Sequence, residues 1–151
     1  MQAMRNKLLV VLMAVMLYPA LVYGAASVCT VDSPQSNGFG QFSMLIQWTA
    51  NSTNGGFTQC SLGWPIDGTL LYVETDPGST APTNAYDITL TDELGLAMTV
   101  SNCDNATTAT VKPTVSGSAQ QVPVWGNLLL DIANNSVNSA TGKIRLFWSK
   151  N

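Results

Sequence analysis

Tyr86-Asp87-Ile88-Thr89-Leu90-Thr91 is the stretch whose reading decides the fold. Apolar and polar residues alternate strictly, the period of a strand with one face buried and the other in water. On a helix, Ile88 would point away from Tyr86 and Leu90, so the three could not share one face. Asp92-Glu93 and Gly95 then turn the chain, and Leu96 to Val100 returns as a partner strand.

The same grammar extends in both directions. Upstream, Phe42, Met44, Ile46 and Trp48 alternate over a strand from about Gln41 to Ala50. Asn51 to Gly56 is a dense turn cluster, and Phe57 to Leu62 can return as its hairpin partner. Trp64-Pro65 and Ile66-Asp67-Gly68 bend the chain into a β-rich run, Thr69 to Thr75. Asp76-Pro77-Gly78 closes that run and opens a polar loop to Asn84. Downstream, Thr107 to Val111, Gln121 to Trp125 and Gly126 to Ile132 are further short strands. A turn cluster at 134–139 precedes the last strand, where Ile144, Leu146 and Trp148 alternate with Arg145 and Phe147.

About eight strands at roughly ten-residue spacing, with no capped helical period, predict an all-β fold. The expected form is an antiparallel β-sandwich, jelly-roll-like. The expected organisation is a signal peptide over 1–24, an N-terminal extension over 25–40 and one sandwich domain over 41–151. The signal peptide rests on Arg5 and Lys7, the apolar run Leu8 to Leu17, and the short residues before Gly24. Cleavage is expected after Gly24, with Ala26 the alternative. The apolar run is too short for a membrane span of about 20 residues, so no stable span is expected after cleavage. The chain is read as exported, periplasmic or extracellular, or carried on a virion.

Charged residues make up only 10% of the 151, and the net charge is -3. The presequence holds two of the six bases, so the mature chain is more acidic still. Without a basic stripe to neutralise phosphates, nucleic acid is not an expected partner. There is no histidine, which removes Ser-His and Cys-His nucleophile pairs. No cofactor and no metal site are expected, zinc included, because no Cys-x-x-Cys pair exists. Asp92, Glu93 and Asp104-Asn105 offer loop oxygens of the kind calcium takes, but ordinary Asx-turn chemistry accounts for them. Asp87, Asp92, Glu93 and Asp131 are the acids a glycosidase would draw on. They are read instead as solvated surface, and the chain as no enzyme.

Export favours disulfides among Cys29, Cys60 and Cys103. The expected pair is Cys60–Cys103, because Cys29 lies close to the new N-terminus. The binding residues expected are aromatic. Trp48 and Trp148 fall on alternating strands and belong to the core. Trp64 and Trp125 lie close to prolines and turns and are expected exposed, with Tyr72 as a third contact for protein or sugar. Asn51-Ser-Thr, Asn105-Ala-Thr and Asn134-Asn-Ser fit the glycosylation pattern and are read as turn residues.

Pro65-Ile-Asp-Gly68, Asp76-Pro-Gly-Ser-Thr-Ala-Pro-Thr83, Tyr86-Asp-Ile-Thr-Leu-Thr-Asp-Glu93 and Asn134-Asn-Ser-Val-Asn-Ser-Ala-Thr-Gly142, in that order, carry a resemblance. Between about Gln41 and Trp148 the chain resembles small β-rich structural proteins of tailed bacteriophages. The resemblance implies a virion decoration protein, or an accessory component of head or tail, with no catalytic residues. Its partners would be other protein subunits, a homo-oligomer or a virion assembly. The signal peptide and the cysteine set depart from that group and favour an exported relative. The alternative is an exported carbohydrate- or surface-binding module with the same fold.

Overall fold

A computed structural model describes residues 25–150, so the expected signal helix over 1–24 lies outside the described residues. The described chain is all β. Its strands are β1 (Val28–Val31), β2 (Gln35–Ser36), β3 (Gln41–Thr49), β4 (Cys60–Ser61), β5 (Gly68–Pro77), β6 (Tyr86–Thr91) and β7 (Ala97–Cys103). They continue with β8 (Ala109–Val111), β9 (Thr114–Val115), β10 (Ser118–Ala119), β11 (Val122–Val124), β12 (Leu129–Ala133) and β13 (Thr141–Lys150). Two antiparallel sheets form, consistent with a β-sandwich. One runs β1-β3-β13-β5-β11, with β2 added to β3 and β8 to β5; the other runs β10-β9-β7-β6-β12-β4.

The period-two pattern places the core between them. From the seven-stranded sheet, Met44, Ile46 and Trp48, Leu70 and Val73, and Ile144, Leu146 and Trp148 point inward. From the other sheet, Tyr86, Ile88 and Leu90, Met98 and Val100, and Leu130 and Ile132 meet them. Trp48 sits opposite Gly142 on β13 and packs edge-on against Phe57, with ring centroids 6.0 Å apart. Only glycine leaves room there: a β-carbon at position 142 would lie 2.6 Å from Trp48 Nε1.

One irregularity matters for the surface. Phe147 pairs with Tyr72 but Trp148 pairs with Leu70, so Leu71 is an extra residue on β5. The bulge resets the alternation. Leu70 and Val73 both point inward, while Tyr72 turns outward beside Phe147.

Two expectations need correction. Residues 25–40 are not an extension outside the sandwich. β1 and β2 pair in register with β3, Cys29 opposite Trp48 and Gln35 opposite Ser43. Cys29 and Val31 pack against the core. A four-residue strand followed by Asp32-Ser33-Pro34 is too short to register as a period. The disulfide is Cys29–Cys60, with Cα atoms 6.4 Å apart, and Cys103 is free and buried. Cys60–Cys103 fails on sheet order, because β12 and β6 stand between β4 and β7. Three strand spacings of about 4.8 Å separate those cysteines by roughly 14 Å, twice the reach of a disulfide.

Candidate functional site

The acids are the natural place to look for chemistry, and most are occupied in holding loops. Asp87 Oδ1 accepts the Asn102 N–H at 2.9 Å, and its Oδ2 accepts from Asn134 Nδ2 at 2.6 Å. Asp92 is buried rather than solvated, which corrects the sequence reading. Its Oδ1 accepts the N–H groups of Leu94 and Leu96 at 3.0 and 2.8 Å and so shapes the β6–β7 turn. Glu93 Oε1 accepts both the backbone N–H and the Nδ2 of Asn127, each at 3.0 Å. Asp104 makes an Asx turn with Ala106 N–H. Asp131 lies on β12 at a position opposite Thr89. Among the described residues no group of three or more His, Cys, Asp or Glu side chains converges to hold a metal.

The aromatic residues divide into two places. Trp64 and Trp125 are exposed at one end of the sandwich, at 44% and 49%. Their segments meet through the backbone: Ile66 N–H donates to Gly126 O at 2.8 Å, and Gly68 pairs with Val124. Tyr72 is not with them. It lies on the outer face of the seven-stranded sheet, stacked on Phe147 with ring centroids 4.3 Å apart.

Two further residues join the tryptophans, and the sequence reading missed both. Phe39 is 92% exposed on the β2–β3 loop, and Leu94 is 79% exposed on the β6–β7 turn. The Phe39 loop reaches the same end because Lys150 N–H donates to Gly40 O, while Lys150 also pairs with Gly68. The Leu94 turn reaches it through the Glu93–Asn127 bonds. A depression of about 190 Å³, lined by Pro34, Phe42, Pro65, Asp67, Trp148 and Lys150, lies at this end. Six large apolar side chains are exposed among the described residues, and four are gathered here. Such clustering makes this end the candidate contact surface, whereas scattered single residues would need no explanation. Gly38-Phe39-Gly40, an aromatic between two turn-forming glycines, was the available signal.

These loops are built, not slack. Asn37 Oδ1 accepts the N–H groups of Phe39 and Gln41 at 2.9 and 3.2 Å, and Asn37 Nδ2 donates to Gln41 Oε1 at 2.9 Å. Phe39 is therefore presented on a closed turn. At the opposite end the loops are polar and tied to one another: Asn135 Nδ2 donates to Gly55 O, and its Oδ1 accepts the Thr83 N–H.

The free Cys103 thiol is pushed up to about 11, first by burial and then by the nearby Asp87 carboxylate. At neutral pH it stays protonated and is a poor nucleophile. Burial also raises the Tyr86 hydroxyl well above the usual phenol range. That hydroxyl interacts with Thr75 without reaching hydrogen-bond geometry. No protein-family model, curated protein or solved structure matches the chain.

Proposed function

We propose that this chain is a non-catalytic interaction protein, an exported or virion-associated accessory component that binds other protein subunits through the loop end of the sandwich. One observation carries the reading: Phe39, Trp64, Leu94 and Trp125 come from four separate loops and stand exposed together. Aromatic side chains on preset loops lose little entropy on docking and supply most of the energy of a small interface. The virion setting rests on the resemblance of the quoted stretches alone. The chain's repeated crossing between the two sheets supports a jelly-roll-like winding. In this reading the acids serve the loops that hold the apolar residues in place.

The test is sedimentation of the exported chain over a concentration series, beside the Trp64→Ser/Trp125→Ser variant, together with detection of the chain in purified particles. Association that disappears in the variant, or a place in the particle, supports the proposal. A chain that is monomeric throughout and absent from particles defeats it. The rival reading is a surface-binding module using the same end. It predicts retention on polysaccharide that Trp64→Ala or Trp125→Ala abolishes.

A further inference from the structure

The outer face of the seven-stranded sheet carries a second, chemically different surface. The registers align its side chains in rows across the strands. Gln35, Ser43, Phe147 and Tyr72 form one row. Leu45, Arg145, Glu74 and Thr110 form the next. Two depressions open along these rows, about 270 and 510 Å³, and they share Gln35, Ser43 and Phe147. Small-ligand sites occupy roughly 300–1,000 Å³, so the joined groove is large enough for one. The Tyr72–Phe147 stack, half-buried and inclined by 25°, walls one side.

The lining selects the occupant. The backbone groups of β3, β13 and β5 face their neighbours in the ladders, so a ligand on this face is read by side chains. Those side chains are amides and hydroxyls: Gln35, Asn37, Gln41 and Ser43. Gln35 Nε2 donates to Ser33, and Gln41 Oε1 accepts from Asn37. The opposite amide atoms are Gln35 Oε1 and Gln41 Nε2. One offers an acceptor and the other a donor. Charge is balanced. Arg145 is paired with Glu74 at 3.5 Å, and Asp32 borders the same depression. An anionic ligand would meet Asp32 and an occupied guanidinium; a cation would meet Arg145. Aromatic rings beside neutral donors and acceptors match a neutral polyol with an apolar C–H face.

We infer that the groove between Gln35 and Tyr72 is a binding site for a neutral pyranose glycan. The sugar's C–H face packs on the Tyr72–Phe147 stack, and its hydroxyls bond Gln35, Gln41 and Ser43. This site adjoins the loop end, with Asn37 and Gln41 closing the Phe39 turn and also lining the groove, but its ligand chemistry does not depend on the protein-docking proposal.

Affinity electrophoresis of the exported chain through gels containing dextran, mannan or galactan tests it, with polygalacturonate as the anionic control. Retardation is expected in at least one neutral gel. Tyr72→Ala and, independently, Gln35→Ala should reduce it about two- to tenfold, the effect of one lost stacking or hydrogen-bonding contact. Gln35 sits on an exposed two-residue strand, so its variant keeps the test sound if Tyr72→Ala destabilises the sheet. No retardation in any neutral gel, retardation only in polygalacturonate, or retardation unchanged in both groove variants would overturn the inference.

Discussion

Replacing Cys29 and Cys60 together by serine removes the disulfide that joins the two sheets, with a magnitude that follows from the fold. The bond joins β1, on the edge of the seven-stranded sheet, to β4, on the edge of the six-stranded sheet. Its sequence separation is 31. The loop-closure relation gives a loss of about 3.7 kcal/mol at 25 °C for a loop of that length. For a domain of this size such a loss lowers Tm by about 15 °C. The assay is urea unfolding followed by tryptophan fluorescence, with Trp48 and Trp148 as buried reporters. The transition midpoint should fall, and the m-value should rise because the uncrosslinked denatured chain is more expanded. Cys103→Ala leaves the crosslink intact and should leave the m-value of the parent. The reasoning is refuted if the double variant unfolds within about 0.5 kcal/mol of the parent, well under the typical contribution of a disulfide. It is refuted equally if peptide mapping without reductant joins Cys60 to Cys103.

The remaining predictions concern packing, turn chemistry and pH. Gly142→Ala drives a methyl group into the Trp48 indole, which Phe57 and Tyr86 hold from other sides; urea unfolding should show a loss of about 1–3 kcal/mol. Asp92→Ala strips the acceptor from two N–H groups of the β6–β7 turn and should cost about 1–3 kcal/mol, while Asp92→Asn, which keeps an oxygen there, should recover part of it. Cys103 and Tyr86 both bind their protons more tightly folded than unfolded, so stability is full at neutral pH. It should fall as pH rises from the ordinary thiol value through about 11, where the unfolded chain ionises first; Cys103→Ala should flatten the first part of that fall. In the native protein Cys103 should resist alkylation at neutral pH and react fully once unfolded.

Sequence periodicity carried the sheets well and the edges badly. β6 was legible because six residues alternate strictly in polarity, and β3 and β13 because apolar residues recur at every second position although Leu45 and Phe147 break the polar rows between them. β9 and β10 were not: they are two-residue strands joined by Ser116 and Gly117, both at positive φ, a tight hairpin turn with no hydrophobic run around it. The disulfide depended on strand order, which no spacing along the chain reveals. Trp64 and Trp125 were legible as exposed aromatics because prolines and turns lie close to them. Phe39 and Leu94 were not, since each is a single apolar residue inside a polar turn. Tyr72 was singled out as an aromatic on a strand, but its stack with Phe147 depends on the bulge at Leu71. The alternation of β5 alone does not give the face on which Tyr72 ends.

The two surfaces differ in how their geometry is fixed, and that difference bears on what each can bind. At the loop end, three of the four apolar residues ride on turns closed by a buried or bonded polar group: Asn37 beneath Phe39, Asp92 beneath Leu94, Glu93 against Asn127 beside Trp125. Exposing an aromatic costs solvation, and a slack loop would fold it back onto the sandwich; the polar closures prevent that collapse. Such protrusions suit a partner with pockets of its own, because a convex anchor gains most where water is excluded around it. The sheet face has the opposite form. Its side chains stand on paired strands whose registers leave little freedom, and its depressions receive a ligand without projecting into one. The convex apolar end and the concave polar face meet at Asn37 and Gln41, which close the Phe39 turn and also line the groove.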